Sequence, residues 1–329
     1  MLESLLSTAL ERRAALLARL KAEGTDCWRL LHGSSEGCEG LTVDVYGDVL
    51  LVQSFREPLS GEQLATLERW AARALPQLTG WVWNHRGTQR LGAESAAELL
   101  AERTIREGGT ELCFAARHRG LDPWLFLDLR AARRRIAAEV RGASFLNLFA
   151  YTCGAGVRAA CAGAAEVINA DFSASSLEVG RRSLELNPHA SARVEFLHED
   201  CLPLLRQWAG LEVKGRARSR DFLRVEPRAF DLVLLDPPKW SKGPFGAVDV
   251  EHDYPALLKP ALLATARGGA LYATHHLPSL DAAGFEARIR RTAEKAGIEL
   301  SAVEVFGPDE DFPVRDGAAL LKVARCQRA

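Results

Sequence analysis

The chain has no uninterrupted apolar stretch long enough to span a bilayer, and its amino terminus, Met1-Leu-Glu-Ser-Leu-Leu, lacks the basic lead and small-residue cleavage site of a secretion signal. A soluble protein of the cytoplasm is the expectation. It also lacks an excess of either charge: 42 lysines and arginines face 43 aspartates and glutamates, so no global field advertises nucleic acid, although local patches can. Its seven cysteines are odd in number and contain no Cys-x-x-Cys pair, which argues against a disulfide frame or a zinc site and for reduced thiols. What is present is apolar bulk. With 47% hydrophobic residues in 329, the chain can bury a large core and is long enough for two domains.

The most informative stretch is Phe145-Leu-Asn147-Leu-Phe149-Ala-Tyr151-Thr-Cys153-Gly154-Ala-Gly156-Val, followed by Ala165-Glu-Val-Ile-Asn-Ala-Asp171-Phe172-Ser173. An apolar run ends in a turn with two glycines, an amphipathic segment follows, and a second apolar run stops at an aspartate: strand, loop, helix, strand. Gly154 and Gly156 would let the backbone approach a ligand, and Asp171 could accept two hydrogen bonds from a ribose diol. S-adenosylmethionine and the dinucleotides both satisfy this description, since Gly154, Gly156 and Ala159 also fit a dinucleotide fingerprint. A tight turn with Asp171 capping the next helix would use the same residues.

Further on, Phe230-Asp-Leu-Val-Leu-Leu-Asp236-Pro237-Pro238-Lys239-Trp240 reads as a buried strand ending in an acid and two prolines, which stop the strand and fix where the Asp236 and Pro237 carbonyls point. Together the two stretches resemble class I S-adenosylmethionine-dependent methyltransferases. The Asp-Pro-Pro-Lys form is similar to the bacterial large-subunit ribosomal RNA methyltransferases that modify carbon 5 of cytosine, over roughly residues 26 to 325 by motif order. The resemblance implies an α/β fold: a Rossmann-like seven-stranded sheet, last strand antiparallel, preceded by a small α+β domain. The expected domains are an N-terminal helix (1–25), the small α+β domain (26–118), a possible substrate or RNA contact, and the catalytic domain (119–329).

Leucines from Leu2 to Leu20 at helical spacing among Glu11, Arg12, Arg13 and Arg19 predict one amphipathic helix ending near Gly24. The resembled enzymes begin instead with a small RNA-binding domain, for which too few residues precede Asp26. Strands are expected at 27–31, 41–46, 49–55, 81–84 and 111–115, with a helix over 61–75. Trp124-Leu-Phe-Leu-Asp128-Leu-Arg130 matches a family phrase bordering the cofactor at Asp128 and Arg130, with Leu129 where the family has glutamine; as a plain helix start, Asp128 would be an N-cap and Arg133, Arg134 and Arg135 a solvated face. Catalytic-domain strands are expected at 144–149, 166–170, 193–197, 230–235, 269–274, 299–306 and 318–324. Asp200, before Cys201, matches the acid that accepts from the adenine amine in the superfamily, though it also fits an N-cap. The basic stretch Val213 to Arg224 suits a phosphate-contacting loop or a solvated connection equally.

The implied cofactor set is Asp128, Arg130, Asn147, Phe149, Tyr151, Gly154, Gly156, Asp171, Phe172, Ser173, Asp200, Cys201 and Asp236, with Asp236, Pro237, Pro238, Lys239 and Trp240 on the substrate side and no metal. Trp240 could stack on a base or pack as a hydrophobic lid. Two departures stand out. Asn147 replaces an aspartate of the family's first motif, which should weaken cofactor binding without abolishing it. The family's Thr-Cys-Ser-Cys-Ser-His-His phrase, which carries the thiol that must add to carbon 6 of cytosine, here reads Thr274-His275-His276-Leu277-Pro278. Cys153 and Cys201 are not at the nucleophile's place and read as buried small residues. His275 and His276 could serve as a base, touch phosphate or cap the strand.

The function expected is therefore S-adenosylmethionine-dependent methylation of a base in RNA, ribosomal by resemblance, at nitrogen rather than carbon 5. A small-molecule or protein substrate, or an RNA-binding assembly protein with a decayed site, are the alternatives.

Overall fold

Two hydrophobic cores form, each from its own strands and helices, in a computed structural model that describes residues 1–87, 90–92, 97–120, 122–213, 222–238, 240–243, 246–314 and 320–329. The chain divides into two compact units, Met1–Arg130 with Asp309–Gly317, and Ala131–Pro308 with Ala318–Ala329.

In the first unit, α1 (Leu2–Arg12) and α2 (Ala14–Ala22) precede β1 (Cys27–His32), β2 (Leu41–Tyr46) and β3 (Val49–Ser54). Then come α3 (Gly61–Ala74), β4 (Gly80–Arg86), β5 (Arg90–Gly92), α4 (Ala97–Leu100) and the hairpin β6 (Arg103–Glu107) and β7 (Thr110–Phe114). Strands β1 to β5 form a sheet in that order, with β3 and β4 parallel and the other pairs antiparallel. Helix α3 starts where Ser60 and Gln63 satisfy each other's backbone N–H groups, and it buries Leu67, Trp70 and Ala71.

The single N-terminal helix expected from the leucine spacing is two helices, broken at Arg13. Arg13 is not on a polar face. At 2% exposure its guanidinium donates to both Glu36 carboxylate oxygens (2.9 and 2.8 Å), to Arg29 O (2.6 Å) and to Asp311 O (3.0 Å). A helical pattern cannot distinguish a solvated arginine from one whose partners lie far away in sequence.

The first unit's segment ends in a 3-10 turn at Leu127–Leu129 and at Arg130, the first residue of α5 (Arg130–Glu139); the second unit continues from Ala131 into β8 (Ser144–Leu148), α6 (Gly154–Cys161), β9 (Glu166–Asp171), α7 (Ala174–Glu185), β10 (Arg193–His198) and α8 (Cys201–Trp208). β11 (Phe230–Leu235), the hairpin β12 (Trp240–Gly243) and β13 (Gly246–Asp249), α9 (Val250–Ala264), β14 (Thr265–His275), α10 (Ala282–Lys295), β15 (Leu300–Phe306) and β16 (Lys322–Arg328) complete it. The seven-stranded sheet has the order β10-β9-β8-β11-β14-β16-β15, and β16 runs antiparallel to both its neighbours. This is the Rossmann-like α/β arrangement. Near-continuous apolar strands such as Phe145-Leu-Asn-Leu148 and Leu232-Val-Leu-Leu235 are buried on both faces, as strands in a parallel sheet must be. One face packs on Leu204, Leu205 and Trp208 of α8, Tyr254, Leu258 and Leu262 of α9, and Phe285 and Ile289 of α10.

The last strand begins at Lys322, not near 318, and runs to Arg328. The apolar run before it suggested the earlier start, but Arg325 belongs in the strand because its guanidinium pairs with Glu139 at 2.8 Å. Arg133, expected on a solvated face, is 3% exposed, and Arg135 pairs with Glu304 at 2.8 Å and lies 3.9 Å over the Phe306 ring.

Candidate active site

Sheet order dictates where a ligand can sit. The chain leaves β8 towards β9 and β10 on one side and returns to β11 on the other, so the switch point lies at the carboxyl end of β8, where open α/β sheets bind their ligands. The residues at that point are Phe149 to Cys153, and three of them are in the left-handed region without being glycine: Phe149 (φ 57°), Tyr151 (φ 50°) and Cys153 (φ 61°). Each costs about 1–2 kcal/mol of backbone energy, so the fold must hold the loop in place.

It does so through three successive amides. Phe149 N–H donates to the Cys201 thiol (3.2 Å), Ala150 N–H to Ala170 O (3.0 Å) and Tyr151 N–H to Asp171 Oδ2 (2.8 Å). Cys201 in turn donates to Ala170 O at 3.3 Å. The loop is thereby fastened to the ends of β9 and α8.

Asp171, at the end of β9, also accepts Ser173 N–H through Oδ1 (2.8 Å), and Ser173 caps α7. Its carboxylate is 4% exposed, and burial pushes its pKa above the usual carboxylate range against the lowering effect of the Tyr151 and Ser173 amides. Each oxygen holds one backbone donor and keeps capacity for a second, which suits a vicinal diol. Asp200 caps α8 by accepting Leu202 N–H at 3.0 Å, and it follows β10, whose His198 is paired with Asp171. Asp236 follows β11, whose Leu235 is paired with Leu148. Asp171, Asp200 and Asp236 thus follow carboxyl ends of strands on the same edge of one sheet. Phe172 O receives the His198 imidazole at 2.9 Å.

Gly156 packs closely against β9. A Cβ there would meet Asn169 Oδ1 at 1.9 Å, so the close approach it permits is of α6 to the protein's own β9. Asn147 is 2% exposed and donates its amide to that same Asn169 oxygen at 2.8 Å. Cys153 and Cys201 are 0% and 2% exposed, and burial pushes both thiols well above their ordinary pKa. That burial disfavours the thiolate form at both.

Asp128 and Arg130 belong to the first unit. Arg130 is 1% exposed, and its guanidinium donates to Asp309 (2.8 Å), Asp311 (2.5 Å) and Cys27 O (3.0 Å). Lys239, the Trp240 side chain and residues 214–221 of the basic stretch lie outside the described residues.

Sequence reasoning missed Glu199, which is buried and accepts Asp200 N–H and Leu223 N–H, both at 2.8 Å. It also missed the joint hold on Asp236: Thr274 Oγ1 donates to Asp236 Oδ1 at 2.5 Å, and His276 Nε2 lies 3.3 Å from the same oxygen. The only signal was position, because Thr274 and His276 flank the carboxyl end of the strand beside β11. His275 points inward, fully buried against Tyr254 and Phe285, and its Nδ1 accepts Leu277 N–H at 3.3 Å. Burial, reinforced by the positive Arg288 and Lys322, lowers its pKa to about 4. Among the described residues no group of three or more His, Cys, Asp or Glu is placed to hold a metal ion, and no helix is long and apolar enough to cross a membrane.

A family model for S-adenosylmethionine-dependent methyltransferases matches residues 27–326. The chain is 32% identical over 312 residues to ribosomal RNA large subunit methyltransferase K/L of Chromohalobacter salexigens, covering 91% of this chain but 39% of that protein's length. It is 31% identical over 303 residues to a ribosomal RNA large subunit methyltransferase of Deinococcus radiodurans, covering 89% of this chain and 70% of that one. The crystal structure of SMU.776 complexed with SAH has the same fold, with a TM-score of 0.79 at 20% identity over 99% of this chain and 80% of the other. A strand edge lined with carboxylates, a loop strained and fastened at its switch point, and a family match over nearly the whole length agree: the chain belongs to the S-adenosylmethionine-dependent methyltransferases.

Proposed function

We propose that this methyltransferase modifies a nitrogen of a base in RNA, ribosomal RNA by analogy with its relatives, and that it works in the cytoplasm. S-adenosylmethionine supplies a methyl group on a sulfonium, and transfer is an in-line displacement. The protein's work is alignment and exclusion of water. In this reading Asp171 accepts from the ribose diol, Asp200 accepts from the adenine amine, and the left-handed loop from Phe149 to Cys153 supplies the backbone surface between them. Asn147, Gly154, Gly156, Phe172, Ser173 and Cys201 hold those groups in place. Asp236 and the Pro237 carbonyl accept hydrogens of the nucleophilic amine, so that its lone pair faces the methyl group. The nitrogen–carbon bond forms as the carbon–sulfur bond breaks, and the nitrogen then loses one proton to solvent.

The observation that carries nitrogen over carbon 5 is the state of the thiols. Carbon 5 of cytosine needs a thiolate at carbon 6, and the cysteines near the carboxyl edge, Cys153 and Cys201, are buried and bound to backbone groups. The place at the end of β14 that matches the resembled family's thiol phrase holds Thr274, His275 and His276.

The test is mass spectrometry of ribosomal RNA from cells lacking the protein, beside wild type, followed by methylation of the deficient RNA with purified enzyme. One N-methylated nucleoside lost and then restored is expected. A lost 5-methylcytosine would overturn the nitrogen assignment, and RNA unchanged at every position would overturn the RNA assignment.

A further inference from the structure

The end of β14 and the residue after it hold Asp236 in a way that the general requirement for an acid before two prolines does not explain. In the pairing of β11 with β14, Leu235 faces Ala273, so Asp236 and Thr274 extend the same register by one residue. Thr274 is fully buried; its hydroxyl reaches Asp236 Oδ1, and its carbonyl accepts the Tyr254 hydroxyl of α9 at 2.9 Å. His276 approaches the same Oδ1 from its Nε2, and because an ionised carboxylate only accepts, the imidazole must present Nε2–H. Two donors therefore converge on one oxygen. Among the described residues no donor reaches Asp236 Oδ2.

His276 is itself constrained by the residue after it. Leu277 N–H donates to His275 Nδ1 at 3.3 Å, and Leu277 O accepts the buried Lys322 ammonium of β16 at 3.0 Å. The peptide groups on both sides of Leu277 are fastened, one by the inward-facing histidine and one by a lysine that also donates to Leu320 O at 3.0 Å. The two adjacent histidines thus do different work. His275 braces the turn from inside, and His276, 29% exposed in its side chain, faces the acid.

We propose that Thr274 and His276 are positioning residues of methyl transfer: they grip Asp236 by Oδ1 so that Oδ2 is held out as the acceptor for a hydrogen of the nucleophilic amine, with His275 and Lys322 bracing the grip. This rests on the nitrogen-methylation reading of the same site. A carboxylate held by one hydroxyl can swing about Cβ–Cγ, whereas a second donor on the same oxygen restricts that rotation. A small misplacement of the acceptor costs alignment in the transition state more than it costs binding.

The test has two arms. In the kinetic arm, His276→Ala is expected to lower kcat about 10–100-fold while leaving S-adenosylmethionine affinity within about twofold by calorimetry. His276→Gln, whose amide can donate from nearly the same point, should recover kcat to within about threefold. A wild-type kcat in His276→Ala, or His276→Gln as slow as His276→Ala, would overturn the proposal. The second arm needs no substrate. Imidazole nitrogen NMR of the wild-type protein, with the His276 signals assigned by their loss in His276→Gln, should show the Nε2–H tautomer and a shift of that nitrogen in Asp236→Ala. His276 signals indifferent to Asp236→Ala would overturn the contact itself. An enzyme inert towards RNA would remove the functional reading, while the NMR arm would still decide the grip.

Discussion

The Cys201 thiol accepts the Phe149 backbone N–H at 3.2 Å while donating to Ala170 O at 3.3 Å, so one buried sulfur joins the left-handed loop to the end of β9. Cys201→Ala removes both bonds and strands the Phe149 amide in the interior, while Ala170 O keeps the Ala150 N–H. A loss of about 1–3 kcal/mol in urea unfolding is expected, with weaker S-adenosylmethionine binding by calorimetry because the loop loses a tether. Cys201→Ser, which retains a donor and an acceptor, should lose less than Cys201→Ala in both measurements.

Asp171→Ala should weaken S-adenosylmethionine binding by roughly 1.5–3 kcal/mol, the range of a charge-assisted hydrogen bond. It also leaves Tyr151 N–H and Ser173 N–H without their acceptor, so unfolding should be followed beside titration calorimetry. An affinity equal to wild type would take Asp171 out of the cofactor's reach.

Gly180 and Cys153 form a pair that genetics can separate. A Cβ at Gly180 would stand 2.7 Å from the Cys153 Cβ and Sγ and 3.1 Å from the Phe196 ring. Alanine favours a helix over glycine by about 1 kcal/mol, but overpacking of about 1–3 kcal/mol should win, so Gly180→Ala is expected to lower the melting temperature. Adding Cys153→Gly removes the obstructing side chain and puts a residue tolerant of left-handed backbone at φ 61°. The double variant should melt above Gly180→Ala.

Breaking the buried cluster of the first unit should cost stability. Arg130→Met leaves Asp309 and Asp311 buried without this cation, for a loss of about 3–5 kcal/mol measured by denaturant unfolding. A stable Arg130→Met protein with weakened cofactor binding would return Arg130 to the cofactor site.

Acid should act through His275. Its pKa is depressed in the fold, to about 4 from an ordinary 6.5, so the neutral form is the one the native state accepts. The unfolded chain therefore takes up the proton first, and the stability that His275 contributes is fully present above pH 6.5 and is lost as the pH falls towards 4. Urea midpoints measured from pH 7 to pH 4.5 should fall, and the fall should be shallower in His275→Gln. His32 of the first unit, also lowered to about 4 by burial and the nearby Arg29, adds a second fall in the same window that His275→Gln will not remove.

The order of elements was legible because it rests on local patterns. Apolar runs that stop at Asp171 and Asp236, the glycine-bearing turn between β8 and α6, and the proline pair after β11 each declare themselves within a dozen residues. So does the absence of cysteine beside Thr274, which already spoke against carbon 5. Strand limits were less legible at β16, where an apolar stretch masked a strand containing Arg325 and Gln327.

What the linear chain determined, then, was the alternation of strand and helix and the kinds of residue at each strand's carboxyl end, since backbone preference and hydrophobic burial act over short spans. Only the tertiary structure decided which partners within the protein those residues meet. Gly156 makes room for Asn169, Arg13 and Arg130 are bound by Asp311, 298 and 181 residues away, and His275 is buried against Tyr254 and Phe285 while the adjoining His276 reaches Asp236. The reason is physical: a buried polar group must find its partner wherever the fold brings one, and sequence spacing carries no record of that distance.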